Sequence, residues 1–119
     1  MAVSFVDFPV YKRALGLAKE IDCLCRMMSG KEFYFLRDQL RRATASVALN
    51  IAEGSGKWSK KDKINFYRIA RGSAFESVGA LDLFSTFSIS DEKQLDSLRK
   101  EFLAIGGELQ ALIFSIEKR

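Results

Sequence analysis

SDEKQLDSLRKEFLAIGGELQALIFSI, residues 90–116, sets Leu95, Leu98, Phe102, Ile105, Leu109, Leu112 and Ile116 at strict three- and four-residue steps. Such steps return to one side of an α-helix, which predicts a continuous apolar stripe along about 91–117. Ser90 stands where a cap would accept free N–H groups, and Asp91 and Glu92 place negative charge at the positive end of the helix dipole. Working outward from this segment, the same period recurs three times. Phe66, Ala70, Ser73, Ser77, Ala80, Phe84 and Phe87 form the stripe of a helix over about 60–87, with Ser59 and Asp62 in the S-x-x-D capping pattern. Leu36, Leu40, Ala43, Val47 and then the polar Asn50 mark a helix over about 32–53, which Gly54 and Gly56 end. Val10, Ala14, Leu17, Ile21, Leu24 and Met28 mark the first, over about 8–28, opened by Asp7 and closed by Ser29-Gly30.

Long helices joined by short connections make sequential neighbours antiparallel, so the expected fold is all-α: an up-and-down four-helix bundle occupying 1–119 as one domain. Residues of this length bury enough surface to form a core without staples. Composition agrees, at 48% hydrophobic and 29% charged. No apolar run approaches the ~20 residues that span a bilayer. The opening MAVSFVDFPVYK lacks the basic and long apolar regions of a signal peptide, so a cytoplasmic location and no membrane contact are expected. Pro9 is the sole proline, and beyond the first turn nothing forbids helix.

Cys23 and Cys25 point about 200° apart on a helix, so they neither join nor share a metal ion. With no histidine in the chain, buried free thiols are expected and no metal or other cofactor. The net charge of +4 and a sequence pI near 9.2 bias the chain mildly toward anionic partners.

Three features lie outside the core stripes. Ala45, Ala48 and Ala52 on the second helix fall opposite its stripe; Tyr67, Ala74, Val78 and Leu81 flank that of the third, with Gly72, Phe75 and Gly79 on its far side. The fourth adds Leu103, Gly106, Gly107 and Ile113. Scattered surface apolar residues are ordinary; subunit contact, with small residues letting helices approach, is the reading preferred here. A polar edge runs beside the second stripe, where Arg42, Ser46, Asn50 and Glu53 fall within roughly 80° of one another. Folding the second helix on the third brings Arg42 to the level of Ser73 and Glu76, which predicts an Arg42–Glu76 pair in a partly buried network. Such a network fixes helix register; an acid–base site from Glu53 and Glu76 is the competing reading. Finally, Lys57, Lys60, Lys61 and Lys63 surround Trp58 in the connection GSGKWSKKDK, residues 54–63. Two readings stay open there: lysines meeting phosphates while the indole stacks on a base, or a solvated basic loop whose tryptophan folds back. The phosphate-loop spacing G-x-x-x-x-G-K-[ST] is absent.

Gln39-Leu-Arg-Arg-Ala43 with Ser46-Val47 and Asn50-Ile-Ala-Glu-Gly54, followed by Phe66-Tyr67, Ile69-Ala70-Arg-Gly-Ser73 and Glu76, resembles the four-helix bundle proteins encoded within intervening sequences of bacterial 23S ribosomal RNA genes. Phe8-Pro-Val-Tyr11 is similar more loosely, and the fourth helix only as an amphipathic helix. The resemblance implies a bacterial protein forming a cyclic homo-oligomer, a pentamer being favoured, with no enzymatic activity. Similar bundles serve diversity-generating retroelements, where a basic barrel binds nucleic acid and a reverse transcriptase; this chain is less basic. The expectation is a non-enzymatic oligomer binding RNA or DNA, with RNA preferred. A scaffold or protein-partner adaptor is the alternative. Helical ribonuclease bundles use an arginine–histidine motif, which a chain without histidine lacks.

Overall fold

Four amphipathic segments can hide their stripes only against one another, and the computed structural model, which describes residues 5–28 and 30–119, arranges them so. A 3-10 turn at Phe5–Asp7 leads into α1 (Pro9–Arg26), α2 (Tyr34–Ser55), α3 (Lys60–Thr86) and α4 (Glu92–Glu117). No strand occurs among the described residues. As α2 advances from Gln39 to Ser46, its partner on α3 retreats from Glu76 to Ser73, so the two run antiparallel. Asp82 of α3 holds Arg99 of α4, while Phe75, earlier on α3, covers Gly106 further along α4. Arg13 of α1 pairs with Glu108 of α4, and Cys23 shares a groove with Gln94, closing the square. A 27-residue helix spans roughly 40 Å at 1.5 Å per residue, so α3 runs most of the 48 Å long axis.

The core joins Leu17 and Ile21, Leu40 and Val47, Ala70 and Phe84, and Leu95, Phe102 and Leu109, all buried. Two expected stripes slip forward near their ends. On α4 the buried residue is Ile113, with Leu112 half-buried; on α2 it is Ile51, with Asn50 half-buried. A straight helix has 3.6 residues per turn, so a strict 3-4 repeat drifts about 20° per heptad and the next residue turns inward. Ala48 is buried rather than outward, on the same side as Thr44 and Ile51, and Tyr67 is buried where Phe66 is only half so. Phe87 is exposed because α3 ends at Thr86.

Ser59 caps α3 as its sequence suggests, its Oγ accepting the Asp62 N–H at 3.1 Å. The other caps differ from expectation. Phe8, not Asp7, is the N-cap of α1, with Pro9 in the first turn, where a missing N–H costs nothing. Asp91 rather than Ser90 is the N-cap of α4, and no side chain caps it. Ser29 lies outside the described residues; Gly30 has φ +94°, a left-handed conformation suited to glycine. Cys25 is buried but Cys23 is exposed, correcting the expectation of two buried thiols. No described helix is long and apolar enough to cross a membrane.

Candidate nucleic-acid interface

The α2–α3 connection is tighter than its glycines suggest. α2 runs through Gly54 to Ser55, and Gly56 N–H closes it on the Ala52 and Glu53 carbonyls, both at 3.2 Å. The turn is thus only residues 56–59, and Lys60, Lys61 and Lys63 belong to the first turns of α3. Helix starts favour negative charge, so three cations placed there are not what the helix itself prefers.

Neighbouring oxygens hold two of these cations. Lys63 Nζ donates to the Ser55 carbonyl at 3.1 Å and lies 3.5 Å from that of Gly54, capping the end of α2. Lys60 Nζ donates to the Arg119 carbonyl, drawing the end of α4 to the same tip. The Ser55 and Gly54 carbonyls orient the Lys63 ammonium without neutralising it. Lys61 makes no ion pair or hydrogen bond among the described residues. Lys57 is the exception: it lies 3.6 Å from the Glu53 carboxylate and 5.0 Å from the centre of the Phe66 ring. Trp58 does not fold back on a neighbour; it is 100% exposed.

The polar edge is turned differently from expectation. Ser46 and Ser73 hydroxyls meet at 2.7 Å, and Asn50 Nδ2 donates to the Ser46 carbonyl at 2.8 Å and to its hydroxyl at 3.0 Å. Arg42 does not reach Glu76. It is exposed and pairs with Asp38 at 2.9 Å, one turn back on its own helix. Glu76 is exposed and accepts from Gln39 Nε2 at 2.5 Å, while Glu53 turns to Lys57. The level was right and the direction was not: Arg42 lies one step outward of the Gln39–Ser46 line that faces α3. Glu53 and Glu76, 23 residues apart with separate partners, form no acid–base pair.

Sequence reasoning missed the role of Gly54, which is no helix stop. A Cβ there would stand 2.8 Å from Tyr67 Cε1 and 3.1 Å from Phe66 Cβ, so its absence lets α2 and α3 close at the tip. Tyr67 Oη lies 2.9 Å from Ser55 Oγ. Because the Ser55 proton goes to the Ile51 carbonyl at 2.8 Å, the phenol is the donor. A glycine inside an apolar-faced helix end, with Phe66-Tyr67 at the matching height of the next helix, was the available signal. Here a cleft of about 280 Å³ opens between Phe5, Phe8, Tyr67, Leu112 and Ile116. The larger one, about 510 Å³, lies at the opposite end, against Phe33 and Phe87. No group of three or more metal-ligating side chains gathers among the described residues.

The family model described as 23S rRNA-intervening sequence protein matches residues 6–111. Among solved structures, the chain is similar to a protein of unknown function from the S23 ribosomal protein family of Bacteroides thetaiotaomicron. The two are 25% identical, with a TM-score of 0.81 over 87% of this chain and 97% of the other. No curated protein matches the sequence.

Proposed function

The chain belongs to the 23S rRNA-intervening sequence protein family, and from that premise we propose that it is a non-enzymatic, oligomeric helical bundle that binds RNA through its α2–α3 tip. One observation carries the reading. Trp58 is fully exposed at the turn, between Lys57 and the cationic first turns of α3. An indole in water contributes nothing to the core, and Lys61 makes no ion pair or hydrogen bond among the described residues, so packing within the subunit explains neither. Both fit single-stranded RNA, whose phosphates attract ammonium groups while an unpaired base stacks on an aromatic face. A second reading, a scaffold for protein partners, draws support from Leu49, Ile69 and Leu83, apolar yet exposed on α2 and α3.

The test is binding of a labelled single-stranded RNA and a duplex by wild type, Trp58→Ala and a variant with Lys57, Lys60, Lys61 and Lys63 all changed to alanine. Trp58→Ala is expected to weaken the single strand by about 1–3 kcal/mol per stacked base and the duplex far less. The four-lysine variant is expected to bind neither, with its helical signal retained. No affinity in the wild type at ~50 mM salt, or unchanged binding by the four-lysine variant, removes the RNA reading and leaves the scaffold.

A further inference from the structure

At the tip the four helices leave a recess unfilled. The cleft of about 280 Å³ has Phe5, Phe8 and Tyr67 as its aromatic lining and Leu112 and Ile116 as its aliphatic one. Its walls are set before anything enters. Phe8 N–H bonds the Phe5 carbonyl at 3.0 Å, and the Phe5 ring meets that of Tyr11 edge to face at 5.0 Å. Tyr67 is buried, with its hydroxyl fixed on Ser55. Two polar groups, Ser55 and Lys63, also line the cleft, and each has bonding capacity to spare. Ser55 Oγ donates to the Ile51 carbonyl and accepts from Tyr67, which leaves it one lone pair. Lys63 Nζ directs two of its three N–H groups at the Ser55 and Gly54 carbonyls, which leaves one donor. A preformed, mostly apolar recess with a few placed polar groups is the usual form of a ligand site.

We propose that this cleft takes one unpaired nucleobase of the RNA, packed against the aromatic side chains with its edge on Ser55 Oγ and Lys63 Nζ. This rests on the tip as the RNA-binding site and adds to it a second base-binding element, separate from Trp58. Size selects the guest. Sites for drug-sized molecules run from about 300 to 1,000 Å³, and a cleft of about 280 Å³ falls just below them, with room for a base and little more. Chemistry agrees, because a splayed-out base offers both an acceptor and a donor on its edges, the complement of one free N–H and one free lone pair. Position agrees too. Ser55 and Lys63 flank the turn that carries Trp58, so the cleft and the indole stand at one end of the bundle and can act on one strand. A duplex keeps its bases paired and stacked, so the cleft discriminates in favour of single strands.

The experiment uses two probes on wild type, Leu112→Trp and Phe5→Ala. Leu112 is half-buried on the cleft wall, so a larger ring there fills the space; Phe5 stands on the 3-10 turn, outside the core, so its loss opens one side. The first probe is an NMR titration with adenosine, guanosine, cytidine and uridine 5′-monophosphates. It is expected to shift the ring signals of Phe5, Phe8 and Tyr67 in the wild type, and no cleft signal in Leu112→Trp. The second is a labelled single-stranded RNA. Both variants are expected to bind it about fivefold or more weakly, with helicity and the slope of affinity against salt unchanged, because no cation has been removed. If the wild type binds RNA and both variants bind it as tightly, the cleft inference is wrong while the tip reading stands. If mononucleotides shift the cleft signals but no RNA binds, the RNA reading falls and the cleft stands as a nucleotide site. If neither probe binds, both fall.

Discussion

Tyr67 occupies the space that a side chain at position 54 would need, and this sets the consequence of filling it. Replacing a helical glycine by alanine ordinarily gains about 0.5–1 kcal/mol. At Gly54 the new Cβ would lie 2.8 Å from a ring held in place by its hydroxyl on Ser55, so Gly54→Ala is expected to lose about 1–3 kcal/mol to overpacking. Gly16→Ala, where nothing lies within 4 Å, is expected to gain the ordinary amount. Urea denaturation of the two variants checks the opposite signs. The cysteines divide in a similar way. Cys23 is exposed, whereas burial pushes the Cys25 thiol up, opposed by the Arg41 and Arg37 charges and reinforced by Asp22. Alkylation of the native protein is expected at Cys23 first, with Cys25 modified on unfolding. Because folding raises the Cys25 pKa, its contribution is intact below the ordinary thiol range. As pH rises through that range toward the folded value, the unfolded chain ionises first and stability falls. Cys25→Ala is expected to flatten that alkaline decline in a stability-versus-pH series.

Among the helices, α4 illustrates what a repeat can and cannot specify. Leu109 lies at the middle of its stripe and is fully buried, so Leu109→Ala is expected to cost about 2–5 kcal/mol. Ser59→Ala removes one bond at the start of α3 and is expected to cost about 0.5–2 kcal/mol. Thermal unfolding of the pair should rank the core change above the cap. Both positions were legible in the sequence, because a stripe and a capping pair are local and helix geometry alone fixes their meaning. Ile113 and Ile51 were not, since small drift accumulates along a helix until the neighbouring residue faces inward. The polar edge failed for another reason. Spacing puts Arg42 and Ser46 on adjoining parts of one surface, yet which of them meets α3 depends on how α2 is rotated against its neighbour. Ser46 took the inner place and Arg42 the outer, and no pattern within α2 decides between them. At the tip, sequence located the lysines and Trp58 and began α3 near Lys60, but it ended α2 two residues early, at about residue 53. The backbone takes Gly54 and Ser55 into α2, which brings their carbonyls to Lys63 and shortens the turn to four residues.

For the whole molecule, the proposed assembly and the charge of the tip are coupled. Net charge per chain is only +4, and at the tip Lys57 is already paired with Glu53. That leaves Lys60, Lys61 and Lys63 as the cations one subunit can offer there. Each phosphate neutralised on single-stranded RNA adds about 0.7 to the slope of log affinity against log salt, so a lone subunit is limited to a slope of roughly −2. A ring of subunits presents the same three cations several times on one rim, and a strand that follows the rim meets them in succession. The wild type is therefore expected to show a slope of roughly −4 or steeper at concentrations where it assembles, falling to roughly −2 with weaker binding where it is diluted to single subunits. The effect is one of effective concentration: each subunit keeps its contacts, but neighbouring contacts cease to be intramolecular. Salt titrations on long and short single strands test this. An RNA too short to bridge two tips should bind assembled and diluted protein alike, and a long one should distinguish them strongly. Equal slopes on the long strand at both concentrations would show that RNA is held by one subunit at a time, and that any assembly found by light scattering serves another purpose.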